Sequence, residues 1–172
     1  MKITIRHAEL EDSQALHDIY IQPEVVKGTL QLPFSSISQQ RRRIEKDLVS
    51  VFILVAEVDG EIVGHLSLYT FPNSPRRRHA GGLGMAVHDA WQGQGIGSAL
   101  MQAALDLADN WLGLSRLELE VFVDNDPAVH LYIKSGFEIE GTRPMYALRD
   151  GEFADVFVMG RVRSPQNGHA GE

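Results

Sequence analysis

Trp91-Gln92-Gly93-Gln94-Gly95-Ile96-Gly97-Ser98 decides how the rest of this chain is read. Three alternating glycines lie where an apolar run, residues 79–88, gives way to a differently patterned segment. There the residues Ile96, Leu100, Ala104, Leu107, Ala108 and Trp111 recur every three or four positions. The first pattern predicts a strand and the second an amphipathic helix. Glycines at such a junction let a ligand reach the N–H groups at the helix start, where anions such as phosphate are held. Two familiar phosphate loops fail here. A Walker loop ends Gly-Lys-Ser/Thr, yet Ser98 follows Gly97 directly; a dinucleotide turn needs a glycine three residues beyond the second, and Ser98 stands there after Gly95.

Working outward, Leu117-Glu118-Leu119-Glu120-Val121-Phe122-Val123 alternates with the period of a strand, and Asp126-Pro127 opens a short helix that Gly136 closes. Strand, helix, strand, helix thus follow one another around the glycine turn. Upstream, residues 3–5 read as a strand, and Asp12 or Ser13 caps a helix carrying Leu16, Ile19 and Tyr20, which Pro23 is expected to end. Residues 25–36 read as a loop bearing apolar Leu30, Leu32 and Phe34, and residues 38–48 as a polar helix. Asp59-Gly60 joins two strands, 51–57 and 61–69, in a hairpin, and Asp150-Gly151 joins two more, 137–148 and 153–162. The single domain is expected to span residues 1–163, with 164–172 as a frayed tail.

The chain has 172 residues, the size of one domain, and is 44% hydrophobic, which excludes disordered and collagen-like classes. No apolar run approaches the ~20 residues needed to cross a bilayer, and Lys2 and Arg6 interrupt the start too early for a signal peptide. A cytoplasmic protein without a membrane partner is expected. With 16 Lys plus Arg against 23 Asp plus Glu, the net charge of −7 has the wrong sign for a broad nucleic-acid surface. The chain contains 0 Cys, so no thiol nucleophile or thiolate metal site exists.

A third loop pattern does fit. Gln92-Gly93-Gln94-Gly95-Ile96-Gly97 resembles the Gln/Arg-x-x-Gly-x-Gly/Ala pyrophosphate loop of the GCN5-related N-acetyltransferases (GNAT). Asn125-Asp126-Pro127-Ala128-Val129-His130-Leu131-Tyr132-Ile133-Lys134-Ser135-Gly136-Phe137 is similar to the same family's Asn-x-x-Ala-x-x-x-Tyr-x-x-x-Gly-Phe. With the element order, the opening Ile5-Arg6-His7-Ala8 and the closing stretch 146–151, the resemblance covers residues 3–163, nearest to bacterial members acting on L-amino acids or other small amines. It implies an α/β fold with a mixed central sheet of about six to seven strands flanked by about four helices. It also implies acetyl transfer from acetyl-coenzyme A (acetyl-CoA) straight to a primary amine, with no metal, and relatives are often homodimers.

Such chemistry needs a held thioester, a neutral amine, stabilisation of the developing oxyanion and a proton for the departing thiolate. By resemblance the backbone of Gln92, Gly93, Gln94, Gly95, Ile96, Gly97 and Ser98 binds the pyrophosphate. Met85, Ala86 and Val87 run along the pantetheine arm, the Val87 amide close to the thioester oxygen. Asn125 and Ala128 border the arm, and Tyr132 is the general acid. The base is left open, because Gly81, Gly82 and Gly84 stand where many members carry a carboxylate. Glu118 and Glu120, on one face of the next strand, are the candidates with His79. The Arg76-Arg77-Arg78 and Arg41-Arg42-Arg43 runs read as solvated, and Lys27 or a nearby Arg is available for a substrate carboxylate. Two alternatives stay open: a protein N-terminal or lysine acetyltransferase, and a non-catalytic acyl-CoA sensor.

Overall fold

The computed structural model describes residues 1–45 and 50–163. The two hairpin turns form at the dipeptides that demand them: Asp59 and Gly60 have φ of 50° and 86°, and Asp150 and Gly151 have 51° and 83°. Positive φ at both central residues gives the turn whose twist matches its flanking strands. The strands are β1 (Ile3–His7), β2 (Val51–Val58), β3 (Glu61–Thr70), β4 (Ala80–Val87), β5 (Arg116–Phe122), β6 (Glu138–Arg149) and β7 (Glu152–Val162). They form one sheet in the order β1-β2-β3-β4-β5-β7-β6, antiparallel except where β4 meets β5.

That one parallel contact positions the site. It has only the pairs Ala80↔Arg116, Gly81↔Leu117 and Gly82↔Glu118, after which the strands part. Meanwhile β4 stays bonded to β3 as far as Val87↔Gly64, and β5 to β7 as far as Phe122↔Val156. The sheet is therefore split along one seam, with unpaired backbone on both lips.

Five α-helices cover the sheet: α1 (Ser13–Tyr20), α2 (Pro23–Gly28), α3 (Ile37–Glu45), α4 (Ile96–Asp106) and α5 (Asp126–Lys134). On one face α4 buries Ile96, Leu100, Met101 and Ala104 against Leu66, Leu68, Leu117 and Met159, all nearly inaccessible. On the other, Leu16, Ile19 and Tyr20 of α1 pack on Ile53, Val55 and Ala86. At about 1.5–3 kcal/mol for each large side chain fully removed from water, these two layers are the main source of stability.

The structure corrects three expectations. Pro23 begins α2 instead of merely closing α1, because its fixed φ suits the first helical position, so residues 23–28 are helix and only 29–36 remain loop. That helix raises the number from the expected four or so to five. Trp111 is not on the buried stripe: a π turn at Leu107–Trp111 follows α4 and swings Trp111 to 77% exposure. The polar helix is seen over Ile37–Glu45; its expected end at Leu48 and the 164–172 tail lie outside the described residues.

Candidate active site

The seam opens into a cavity of about 860 Å³. Leu83, Met85 and Val87 point to the α4 side of β4, Gly84 and Ala86 to the opposite side, and all of them line it. Glu120, Val121 and Phe122 of β5 likewise come from both faces. One cavity thus runs through the sheet, joining a chamber beside α4 and α5 to one beneath α1, α2 and α3.

In the first chamber the glycine loop leads into the start of α4. Gly93 and Gly95 have φ of 72° and 86°, a region costly for any residue with a Cβ, and Gly95 caps α4 with no side chain to accept from the first turn. The leading N–H groups of α4 therefore have no partner inside the helix and face the chamber, a ready anion cradle. Gln92, Gly93, Gly95, Ile96, Gly97 and Ser98 line the cavity, while Gln94 does not and bonds back to the Ala90 carbonyl at 3.0 Å. His88 donates its N–H to the Val63 carbonyl across the β3 side. Alternation along the strand then turns the Val87 N–H toward the seam. The Gln92 side chain donates to the Val87 carbonyl at 3.3 Å, leaving that N–H as the open group.

Tyr132 sits on α5, 6% exposed, edge-on to Phe137 at 5.9 Å between ring centroids. Its hydroxyl makes no hydrogen bond among the described residues and its side chain lines the cavity. Burial pushes its pKa up to about 12, so it is a proton donor at neutral pH. Asn125 caps α5 through Oδ1, which accepts from the Ala128 N–H at 3.3 Å, and both residues line the cavity.

The two carboxylates expected on β5 separate. Glu120 lines the cavity, where its charge helps raise the Tyr69 pKa after the larger effect of burial, and Arg143 donates to it at 2.8 Å. Glu118 is not at the cavity; it is tied by Arg77 and by Arg116, the latter at 3.4 Å. Neither His79 nor Lys27 lines it. Room beside Glu120 exists because β4 has no side chain there: a Cβ at Gly84 would meet nothing within 4 Å.

Sequence reasoning missed most of the second chamber. Tyr20, Arg43, His65, Ser67, Tyr69 and Tyr146 line it. His65, 1% exposed, links the Tyr20 hydroxyl (2.9 Å at Nδ1) to the Ser67 hydroxyl (3.1 Å at Nε2). Burial, helped by the Arg43 charge, lowers its pKa to about 3, so it is neutral. Arg43, read from sequence as solvated, reaches the cavity with its guanidinium 4.8 Å from the Tyr20 ring centre. The detectable signal was the alternation His65, Ser67, Tyr69 against Leu66 and Leu68, a polar face on a strand whose other face is core. Over this chamber α2 forms a strap. The Glu24 N–H bonds the Asp89 carboxylate at 3.1 Å beyond β4, and a Cβ on Gly28 would lie 3.2 Å from the Asn125 amide beyond β5.

A sheet split along one parallel contact, with a glycine-capped helix on one side and an unbonded phenol on the next, defines a class of acyltransferase. Residues 14–137 match the model of the acetyltransferase (GNAT) family. The chain belongs to that family, whose members take acetyl-CoA as co-substrate and an amine as acceptor. It is 46% identical over 162 residues to the L-amino acid N-acetyltransferase AaaT of Escherichia coli K12, covering 94% of this chain and 99% of that protein. A GNAT-family acetyltransferase from Streptococcus pneumoniae superposes with a TM-score of 0.81 at 29% identity, over 94% of this chain and 100% of the other. Ribosomal-protein-alanine N-acetyltransferase from Brucella melitensis gives 0.82 at 26%, over 93% and 99%. No described helix is long and apolar enough to cross a membrane.

Proposed function

We propose that this acetyltransferase acts on the amino group of a free amino acid or a comparably compact amine, in the cytoplasm. The strap that carries this reading is α2: bonded to Asp89 on one lip of the seam and lying beside Asn125 on the other, it crosses the chamber where an extended polypeptide would have to pass. The 46% identity to an L-amino acid N-acetyltransferase supports the same acceptor. The strap weighs against a protein N-terminal or lysine substrate, and a phenol aimed unbonded into the cavity weighs against a mere acyl-CoA sensor. A homodimer belongs to the reading as well, with exposed Ile139, Met145 and Leu148 of β6 as its surface.

Bound acetyl-CoA supplies the acetyl thioester. The N–H groups of the Gly95–Ser98 turn hold the pyrophosphate, each contact at a helix start contributing about 0.3–1 kcal/mol. The other loop residues, Gln92, Gly93 and Gln94, shape that cradle, and Met85, Ala86, Asn125 and Ala128 flank the arm. The Val87 N–H receives the thioester oxygen as negative charge develops on it. An α-amino group with a pKa near 8 is still mostly protonated at neutral pH, though less so than a Lys-like amine, and Glu120 takes its proton, directly or through water. Glu118, held in ion pairs away from the cavity, is set aside for that role. Tyr132 delivers a proton to the departing sulfur. A thiolate released in the same low-dielectric surroundings is raised in pKa along with the phenol, so the transfer does not run uphill by the full gap between their ordinary values.

The test is release of free CoA from acetyl-CoA with a panel of amino acids, polyamines, aminoglycosides and peptides, wild type beside Tyr132→Phe. Free amino acids should turn over, and the variant should lose about 100-fold or more in kcat, the usual range for a general acid, at unchanged acetyl-CoA affinity. Faster turnover of peptides, or equal loss of binding and turnover in the variant, would overturn the reading.

A further inference from the structure

Arg43 stands apart from the other arginines that face protein charges. Arg6, Arg77, Arg116, Arg143, Arg149, Arg161 and Arg163 each meet a carboxylate. Arg43 forms no ion pair among the described residues; its guanidinium meets neutral groups, the side-chain amide oxygens of Gln40 at 3.5 Å and Gln31 at 3.3 Å and the side chain of Tyr20. Yet it lines the cavity, fixed over the Tyr20 ring at the end of a helix face whose neighbours Gln40 and Ile44 are buried. A cation held in a partly enclosed site without a counter-ion has lost hydration that an incoming anion can replace.

The groups beside it are hydrogen-bond donors for the same anion. Neutral His65 has one N–H and one bare nitrogen. If the Tyr20 hydroxyl donates to Nδ1, the Nε2–H points to Ser67 and frees the Ser67 O–H; the other tautomer frees the Tyr20 O–H. Either way one hydroxyl proton is left for the cavity. Negative charge lines the same cavity at Glu24 on α2 and at Glu120, which lies with Tyr69 and Tyr146 and is bonded by Arg143. Cation and carboxylate sharing one cavity match a zwitterion.

We propose that Arg43 binds the carboxylate of the acceptor, with the Ser67 or Tyr20 hydroxyl as second donor, and so selects α-amino acids over other amines. His65 is a positioning residue for that pair of hydroxyls. The inference rests on the amino-acid reading above and adds the residue that enforces it. A polyamine would bring a second positive charge against Arg43 and gain nothing there.

The experiment compares L-leucine with L-leucinamide, chosen because Val25, Leu30 and Val51 make that end apolar; if the panel names a better amino acid, it and its carboxamide replace them. Wild type, Arg43→Gln and Arg43→Lys are assayed for both, with acetyl-CoA Kd and melting temperature alongside. In Arg43→Gln the KM for the amino acid should rise about 10- to 100-fold, the factor a charge-assisted hydrogen bond supplies, with little change for the carboxamide or in acetyl-CoA Kd. Arg43→Lys should recover part of the loss. An unchanged KM in a folded Arg43→Gln that still turns over leucine overturns the Arg43 proposal and leaves the amino-acid reading standing. Wild type that acetylates neither leucine nor any amino acid of the panel overturns both. Should Arg43→Gln fail to fold, Arg43→Lys decides alone: an amino-acid preference matching wild type supports a charge contact, whereas normal carboxamide turnover with that preference abolished shows that the bidentate fork is required, and loss of both substrates together defeats the proposal.

Discussion

The two chambers of the cavity present different kinds of group to a ligand. Beside α4 the groups on offer are main-chain ones from the Gly93 to Ser98 stretch, supported by a helix that has no alternative use for them. Beneath α1, α2 and α3 they come from side chains on β3, β5, β6, α1 and α3, brought together only by the sheet. A backbone cradle tolerates changes of side chain but not of φ; a side-chain chamber is the reverse. On the reading proposed above, the co-substrate site would thus be sensitive to backbone conformation and the acceptor site to single side chains.

The sharpest way to break this contrast is Gly95→Val. A β-branched residue at φ 86° is strained, and relief moves the cradle. Acetyl-CoA affinity should fall about 100-fold, read by calorimetry, on the basis of roughly 1–3 kcal/mol per strained residue plus displaced amides. Binding within threefold of wild type would show that the loop is only a turn. Next in size is acid sensitivity confined to the acceptor chamber. His65 titrates near 6.5 when unfolded and near 3 in the fold, so the folded state binds fewer protons; its contribution is complete above pH 6.5 and is lost as pH falls toward 3. Between pH 7 and pH 5 urea unfolding should show wild type losing about 2 kcal/mol more than His65→Gln. Parallel losses would mean that His65 is hydrated and charged in the fold. The smallest effect separates the two β5 carboxylates. Glu120→Gln should lower kcat/KM about tenfold and Glu118→Gln less than about twofold, given the modest worth of a half-exposed ion pair. The reverse order would return the base to Glu118.

What could be read without coordinates follows the same division. The α4 turn and the α5 motif are contiguous, so glycine spacing, the Asp126-Pro127 start and Tyr132 were all visible in a line of text. Both hairpins announced themselves at Asp-Gly. Arg43 was not legible, since its neighbours Arg41 and Arg42 are as polar as a solvated helix face, and only tertiary packing of Gln40 and Ile44 turns it inward. His65 and Tyr20 lie 45 positions apart, and nothing local links them. Glu118 and Glu120 share a face by alternation, but which of them reaches the seam depends on where β4 leaves β5, a register that no periodicity encodes.

That seam has a further consequence, for the order of folding. Hairpins β2–β3 and β6–β7 close over two-residue turns and need little loop entropy, whereas β4 reaches β5 only through the whole α4 crossover. Within the sheet ladder, the pairs Ala80↔Arg116 to Gly82↔Glu118 join the two blocks. In hydrogen exchange those rungs should therefore protect late while the hairpins protect early, and the cavity comes into being at the last stitch, when two finished halves meet.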